Sequence, residues 1–149
     1  IDRMHRTVTE DFARAHGGFA DSGLAIIGLG KLGAREMSVG TDLDLILAYG
    51  DTRRDASDGA KKLPPMVYFA RLSQRLITAL TAPTGEGKLY EVDMRLRPSG
   101  NQGPIASSVD GFRKYQEADA WTWEHMALTR ARVVSASPHF GDELGSHAQ

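Results

Sequence analysis

Apolar positions along the chain follow two periods. From 66 to 80, Met66, Phe69, Leu72, Leu76, Ile77 and Leu80 recur at spacings of three and four, which predicts an amphipathic helix. Pro64 and Pro65 suit its first turn, and Pro83 lies just past its end. Two other stretches alternate. Over 42–49, Leu43, Leu45 and Leu47 point one way while Asp42, Asp44, Ile46 and Ala48 point the other. Over 88–96, Leu89, Glu91, Asp93 and Arg95 share one face, and Tyr90, Val92, Met94 and Leu96 the opposite one. Both stretches predict strands. The apolar run 24–27, flanked by glycines, predicts a buried strand, and further helices are expected at 8–16, 32–37, 108–118 and 121–134. Residues 50–62 read as a solvated loop.

Composition narrows the function classes. The 149 residues are about one domain's worth, with 41% hydrophobic and 25% charged residues, as in an ordinary globular protein. A net charge of −1 argues against a general nucleic-acid binder. No cysteine is present, so disulfides and thiolate metal sites are impossible, and a reducing cytoplasmic setting is compatible. No apolar run approaches the roughly 20 residues that span a bilayer, so no membrane association is expected. The first residue is Ile1, and the chain reads as one domain, 1–149, cut from a longer multidomain protein, with 1–20 and 139–149 as flanking segments.

The chemistry concentrates between Gly28 and Ala48. Gly28-x-Gly30-x-x-Gly33 follows an apolar run and formally matches a dinucleotide-binding fingerprint. That reading requires a full helix and then a strand ending in an acid, whereas here a second turn, Gly40-Thr41, arrives after about two helical turns. Asp42 and Asp44 lie two apart at the start of a strand, so their carboxylates share a face and repel unless something neutralises them. A hard divalent cation such as Mg²⁺ does so. Asp93 offers a third carboxylate at mid-strand, either paired with Arg95 or completing a cradle for two metals about 4 Å apart. Lys31, Arg35, Arg95, Arg97, Arg130 and Arg132 are cations suited to a triphosphate. Lys31 is best placed, at a turn whose backbone N–H groups also point outward. Arg130 and Arg132 read equally well as a solvated helix face. Trp121 and Trp123 read as packing residues, and His125 has no second metal ligand at useful spacing.

Leu29-Gly30-Lys31, then Asp42-Leu43-Asp44-Leu45, then Asp93 on a later strand resembles the polymerase-β-type nucleotidyltransferase superfamily. More narrowly, Gly30-Lys-Leu-Gly33, Gly40-Thr-Asp-Leu-Asp-Leu-Ile46, Arg71-Leu-Ser-Gln-Arg-Leu-Ile77, Tyr90-Glu-Val-Asp-Met-Arg-Leu-Arg-Pro-Ser-Gly100 and Ala120-Trp-Thr-Trp-Glu-His125 resemble the glutamine synthetase adenylyltransferases. The resemblance covers about residues 24–138. Thr41 stands where that family usually has Ser, which keeps the hydroxyl, and Ala34 where glycine is frequent.

The resemblance implies an α/β (α+β) fold, a small mixed sheet with helices mainly on one side. It implies transfer of AMP from ATP to a tyrosine of glutamine synthetase, with pyrophosphate leaving. Asp42, Asp44 and Asp93 would be the catalytic acids and hold two Mg²⁺. Gly30, Lys31, Gly40 and Thr41 would bind the nucleotide phosphates, supported by Arg95 and Arg97. The full-length protein is expected to be cytoplasmic, regulated by a PII-type signalling protein and by glutamine. The blocks at 90–93 and 120–125 resemble the adenylylating copy of that enzyme. The alternatives are its deadenylylating copy, which releases ADP by phosphorolysis, and a non-catalytic nucleotide-sensing domain.

Overall fold

The computed structural model describes residues 1–38, 40–85, 87, 90–138 and 140, which form five helices, five strands and one 3₁₀ turn. In chain order they are α1 (Asp2–His16), β1 (Leu24–Gly28), α2 (Gly30–Gly33), β2 (Leu43–Tyr49) and α3 (Pro65–Thr81). There follow β3 (Val92–Asp93), a single 3₁₀ turn (Gly100–Gln102), β4 (Ala106–Ser108), α4 (Val109–Ala118), α5 (Thr122–Leu128) and β5 (Arg132–Ala136). The five strands form one mixed sheet in the order β3-β2-β1-β5. β1 runs antiparallel to β2 and to β5. The far edge of β2 is shared: β3 pairs in parallel with its start and β4 in parallel with its end.

The two faces of β2 do different work. Leu43, Leu45 and Leu47 join Leu24 and Ile26 in the main core, where α1 and α3 contribute Phe12, Tyr68, Phe69, Leu72 and Leu76. Each fully buried side chain of this kind contributes about 1.5–3 kcal/mol of transfer free energy. Aromatic rings tie the layers together, with Tyr49 stacked on Phe69 at 4.5 Å and Phe12 edge-on to Tyr68 at 4.9 Å. The opposite face, which carries Asp44, Ile46 and Ala48, has a smaller cover from Val109, Ala136 and Phe140 around Ala25 and Ala48. The expected mixed sheet with helices mainly on one side is the fold observed. Among the described residues no helix is long and apolar enough to cross a membrane.

Several elements differ from expectation. The helix expected at 32–37 is a single turn over Gly30–Gly33, and the chain leaves it through Arg35 with a left-handed φ of 60°. The strand expected at 88–96 pairs only over Val92–Asp93, with 88 and 89 outside the described residues. It ends there because the Asp93 carboxylate accepts the Arg95 backbone N–H at 2.9 Å and turns the chain. The helix expected at 121–134 is split into α5 and β5, because the β-branched Val133 and Val134 complete the open edge of β1. Trp121 and Trp123 are not packing residues: they are 71% and 56% exposed. Buried Glu124 causes this by accepting the Trp121 backbone N–H at 2.7 Å and the Tyr115 hydroxyl at 2.8 Å, which fixes the start of α5 with the indoles outward. Ser108 caps α4, its hydroxyl accepting from the Gly111 N–H. Of 139–149, only Phe140 is among the described residues.

Residues 1–20 contribute α1, which is fastened to β5 by a polar chain running from exposed Asp2 to buried Ser135 and His5. The Ser135 hydroxyl donates to Asp2 Oδ1 at 2.7 Å and accepts from Nδ1–H of His5, also at 2.7 Å. Burial pushes the His5 pKa below its ordinary 6.5, against a smaller opposing pull from Asp2. The folded state therefore prefers neutral His5. Its contribution is complete above pH 6.5 and is lost as pH falls through the lower folded value. The urea midpoint is expected to drop on acidification from pH 7.5 to 5, with a shallower drop in His5→Gln. Identical pH slopes for the two proteins would remove His5 as the source.

Candidate functional site

The two alternating stretches that carry acids meet at one end of the sheet. Parallel pairing sets Asp44 directly beside Asp93, with Leu43 beside Val92. Neighbours in such a pair point to the same face, so the two carboxylates project together from the side opposite α1 and α3. Asp42 precedes β2 by one residue, is exposed, and lies two positions before Asp44.

The glycine turn closes over this pair. The Leu29 backbone N–H donates to the Asp44 carbonyl at 2.9 Å, which docks the turn on the strand. Gly30 has a left-handed φ of 52°, and a Cβ there would lie 2.6 Å from Asp44 Oδ2. Glycine is required on both counts. Lys31, exposed, follows in α2. Gly40 is exposed with a φ of 80°, and the Thr41 hydroxyl pairs with the Ser38 hydroxyl at 2.8 Å, forming a second turn just before Asp42.

The charges are unevenly satisfied. Arg95 grips Asp93, its Nε donating to both carboxylate oxygens at 3.1 and 2.9 Å and its Nη2 to Oδ2 at 2.6 Å. These bonds hold the Asp93 carboxyl below the usual carboxylate range. Asp44 is pushed the other way, first by burial, then by the neighbouring charges of Asp93 and Asp42, against a smaller pull from Arg95. Arg97 turns back on the chain, donating to the Met94 carbonyl at 3.1 Å. Of the expected phosphate partners, Gly30 and Lys31 therefore belong to the turn beside Asp44, and Gly40 and Thr41 to the turn before Asp42. Arg95 is committed to Asp93.

The donor set fits a hard divalent cation. Carboxylates whose burial and mutual repulsion raise the pKa of one of them, beside a backbone that leaves no room for a side chain, are the environment a cation relieves. Among the described residues no three acidic or imidazole groups stand close enough to hold an ion as they are. Both Asp93 oxygens are engaged by Arg95.

Two arginines left open by the sequence fall outside the acid cluster. Arg130 is exposed, and its backbone carbonyl lies 2.0 Å from where a Cβ on Gly33 would be. Arg132 is in β5, not on a helix, and donates to the carbonyls of Leu32 at 3.1 Å and Gly33 at 3.3 Å. The β-branched pair Val133-Val134 was the sequence signal for that placement.

This arrangement accompanies a family match over nearly the whole chain. The family model for glutamate-ammonia ligase adenylyltransferase matches residues 1–146. The chain belongs to this family. It is 56% identical over 147 residues to the bifunctional glutamine synthetase adenylyltransferase/adenylyl-removing enzyme of Xanthobacter autotrophicus, covering 97% of the chain. It is 57% identical over 141 residues to the protein of that name from a Bradyrhizobium species, covering 94% of the chain. The corresponding Brucella suis protein is 54% identical over 141 residues. The chain spans about 15% of the length of these curated relatives. The family is thus shown, and the two adenylyl reactions in its relatives' name are not separated by the match.

The raised Asp44 carboxyl has a consequence for stability. A folded pKa above the unfolded 3.8 means that the protonated form suits the fold, and that stability is lost as pH rises through the folded value. Asp44→Asn is therefore expected to melt higher than wild type at pH 7 without metal, with the gap closing towards pH 4. Mg²⁺ is expected to raise the wild-type melting temperature more than that of the variant. A variant that melts lower at pH 7, with the same response to Mg²⁺, would contradict this electrostatic account.

Proposed function

We propose that this domain transfers AMP from ATP to a tyrosine hydroxyl of glutamine synthetase. The observation that carries the reading is the register of Asp44 with Asp93 beside a turn where a Cβ would strike Asp44. Asp42, Asp44 and Asp93 would hold Mg²⁺, with Arg95 giving up Asp93 when a cation is taken. Bound there, the metal would supply charge neutralisation for the phosphates and a lower pKa for the attacking hydroxyl. The chain's own groups bind and orient. Gly30, Lys31, Gly40 and Thr41 would receive the β- and γ-phosphates, Arg95 and Arg97 would support them, and Asp93 could accept the tyrosine proton. Most of the rate enhancement then comes from positioning and electrostatics. In the full-length protein, cytoplasmic location and control by a PII-type protein and glutamine belong to the same reading.

A second reading shares this site. The relatives' name joins adenylyl transfer to adenylyl removal, and phosphate attack on adenylyl-tyrosine, releasing ADP, is the reverse-direction counterpart of the same chemistry. The sequence blocks at Tyr90–Asp93 and Ala120–His125 favour the transferring copy by resemblance. Retention of all three acids favours catalysis over nucleotide sensing alone.

Incubation with ATP, Mg²⁺ and glutamine synthetase is expected to add one AMP mass to the target. Asp42→Asn or Asp93→Asn should reduce the rate by about 100- to 1,000-fold or more with circular dichroism unchanged. Release of ADP from adenylylated target and phosphate, without AMP addition in the forward assay, would assign the removing reaction. Full transfer by either variant would sink the acid assignment.

A further inference from the structure

Arg132 contacts the glycine turn at both ends. Its backbone is opposite Gly28, where the turn begins, and its guanidinium reaches the Leu32 and Gly33 carbonyls, where α2 ends. A one-residue irregularity in the β1–β5 pairing makes this possible. Ile26 pairs with Ser135 but Ile27 with Val133, so Val134 is the extra residue and Arg132, not Val133, faces Gly28. Bulges of this kind re-aim a side chain near functional sites.

The turn needs such support. α2 has four residues, no side-chain cap at its start, and an exit through a left-handed Arg35. A helix so short has little stability of its own, and its last carbonyls lack intrahelical partners. Arg132 bonds two of them, Gly33 and Leu32 (the latter also accepting the Arg35 N–H at 3.2 Å), with a planar, permanently charged fork that two diverging carbonyls suit better than an ammonium would. Behind the turn, Arg130 presents its carbonyl where a Cβ on Gly33 would be, and Gly28 places its own carbonyl 2.7 Å from the same point. The turn is thus held from behind by β5 while its front, at Gly30, lies against Asp44.

We propose that Arg132 is a positioning residue that braces the Gly28–Gly33 turn in the geometry that receives the nucleotide's phosphates. The inference rests on the nucleotidyl-transfer reading and extends it to a residue that touches neither the acids nor the nucleotide. It predicts a selective defect. Asp44 and Asp93 lie on β2 and β3 and Asp42 just before β2, whereas the Arg132 guanidinium bonds to the turn, so binding of the cation alone should survive its loss. Binding of the nucleotide, which needs the turn, should not.

The test is calorimetric titration of wild type, Arg132→Ala and Arg132→Lys with Mg²⁺ alone and with Mg·ATP, with folding checked by circular dichroism. Arg132→Ala is expected to weaken Mg·ATP about tenfold or more, in line with the cost of misplacing a binding group from a distance, and to leave Mg²⁺ affinity unchanged. Arg132→Lys should recover part of the loss, because it keeps the charge without the fork. If Arg132→Ala does not fold, Arg132→Lys carries the same contrast between the two ligands. Unchanged Mg·ATP binding, or equal loss for Mg²⁺ and Mg·ATP, overturns the brace while leaving the nucleotide reading intact. A wild-type chain that binds Mg²⁺ but no Mg·ATP overturns the nucleotide reading, and the brace with it.

Discussion

A parallel pairing two residues long brings Asp93 to Asp44, and the candidate site depends on that contact. Two carboxylates on adjacent strands cannot both ionise freely at such range, and a third, Asp42, adds to the repulsion felt by Asp44. Arg95 offsets it from one side by chelating Asp93. Among the described residues nothing comparable is given to Asp44, which is half-buried and has Gly30 against its oxygen. The fold therefore maintains an electrostatic conflict at one strand end, which a structural role alone does not require.

What allows the conflict is the division of β2 into two faces. Leu43, Leu45 and Leu47 enter a core shared with α1 and α3, and this apolar face supplies the free energy that holds the strand in place. Asp44, on the other face, can then be unfavourable without unfolding the domain. The split edge matters equally. β4 pairs with the end of β2 and β3 with its start, and the intervening chain turns away at Arg95 through the 3₁₀ turn. The end of the sheet stays open where the acids project.

Much of this was legible in the sequence, for physical reasons that differ by element. The alternation of Leu43, Leu45 and Leu47 and the three–four spacing from Met66 to Leu80 marked β2 and α3, because each buries one apolar face, although Met66 itself, in the first turn of α3, is exposed. Asp44 and Asp93 stood out in the sequence because charge within an alternating apolar stretch is costly, and the structure sets them side by side, Asp93 at the end of its strand rather than mid-strand. Of the two readings of Asp93, the ion pair with Arg95 is the one observed, while the pairing of β3 with β2 sets Asp93 beside Asp44 and leaves the metal cradle as a proposal. Long-range pairing was not legible. β5 reads as a continuation of a helix until β1 is known to present an open edge, and the β3 strand is cut short by a side-chain-to-backbone bond from Asp93 that no periodicity encodes. Trp121 and Trp123 were misread because burial of Glu124, a polar residue, sets the orientation of α5. Arg132 was invisible for a related reason: its role exists only once a bulge puts it across from Gly28.

The central claim is that Asp42, Asp44 and Asp93 form one cation site that works with the glycine turn on a nucleotide. Crystals grown with Mn²⁺ and a non-hydrolysable ATP analogue, measured at the manganese absorption edge, test it most directly. The account predicts an anomalous peak between the Asp44 and Asp93 carboxylates, phosphates against Gly30 and Lys31, and Arg95 moved off Asp93. A nucleotide bound elsewhere, or no anomalous peak at the acids with Arg95 still paired to Asp93, would contradict it.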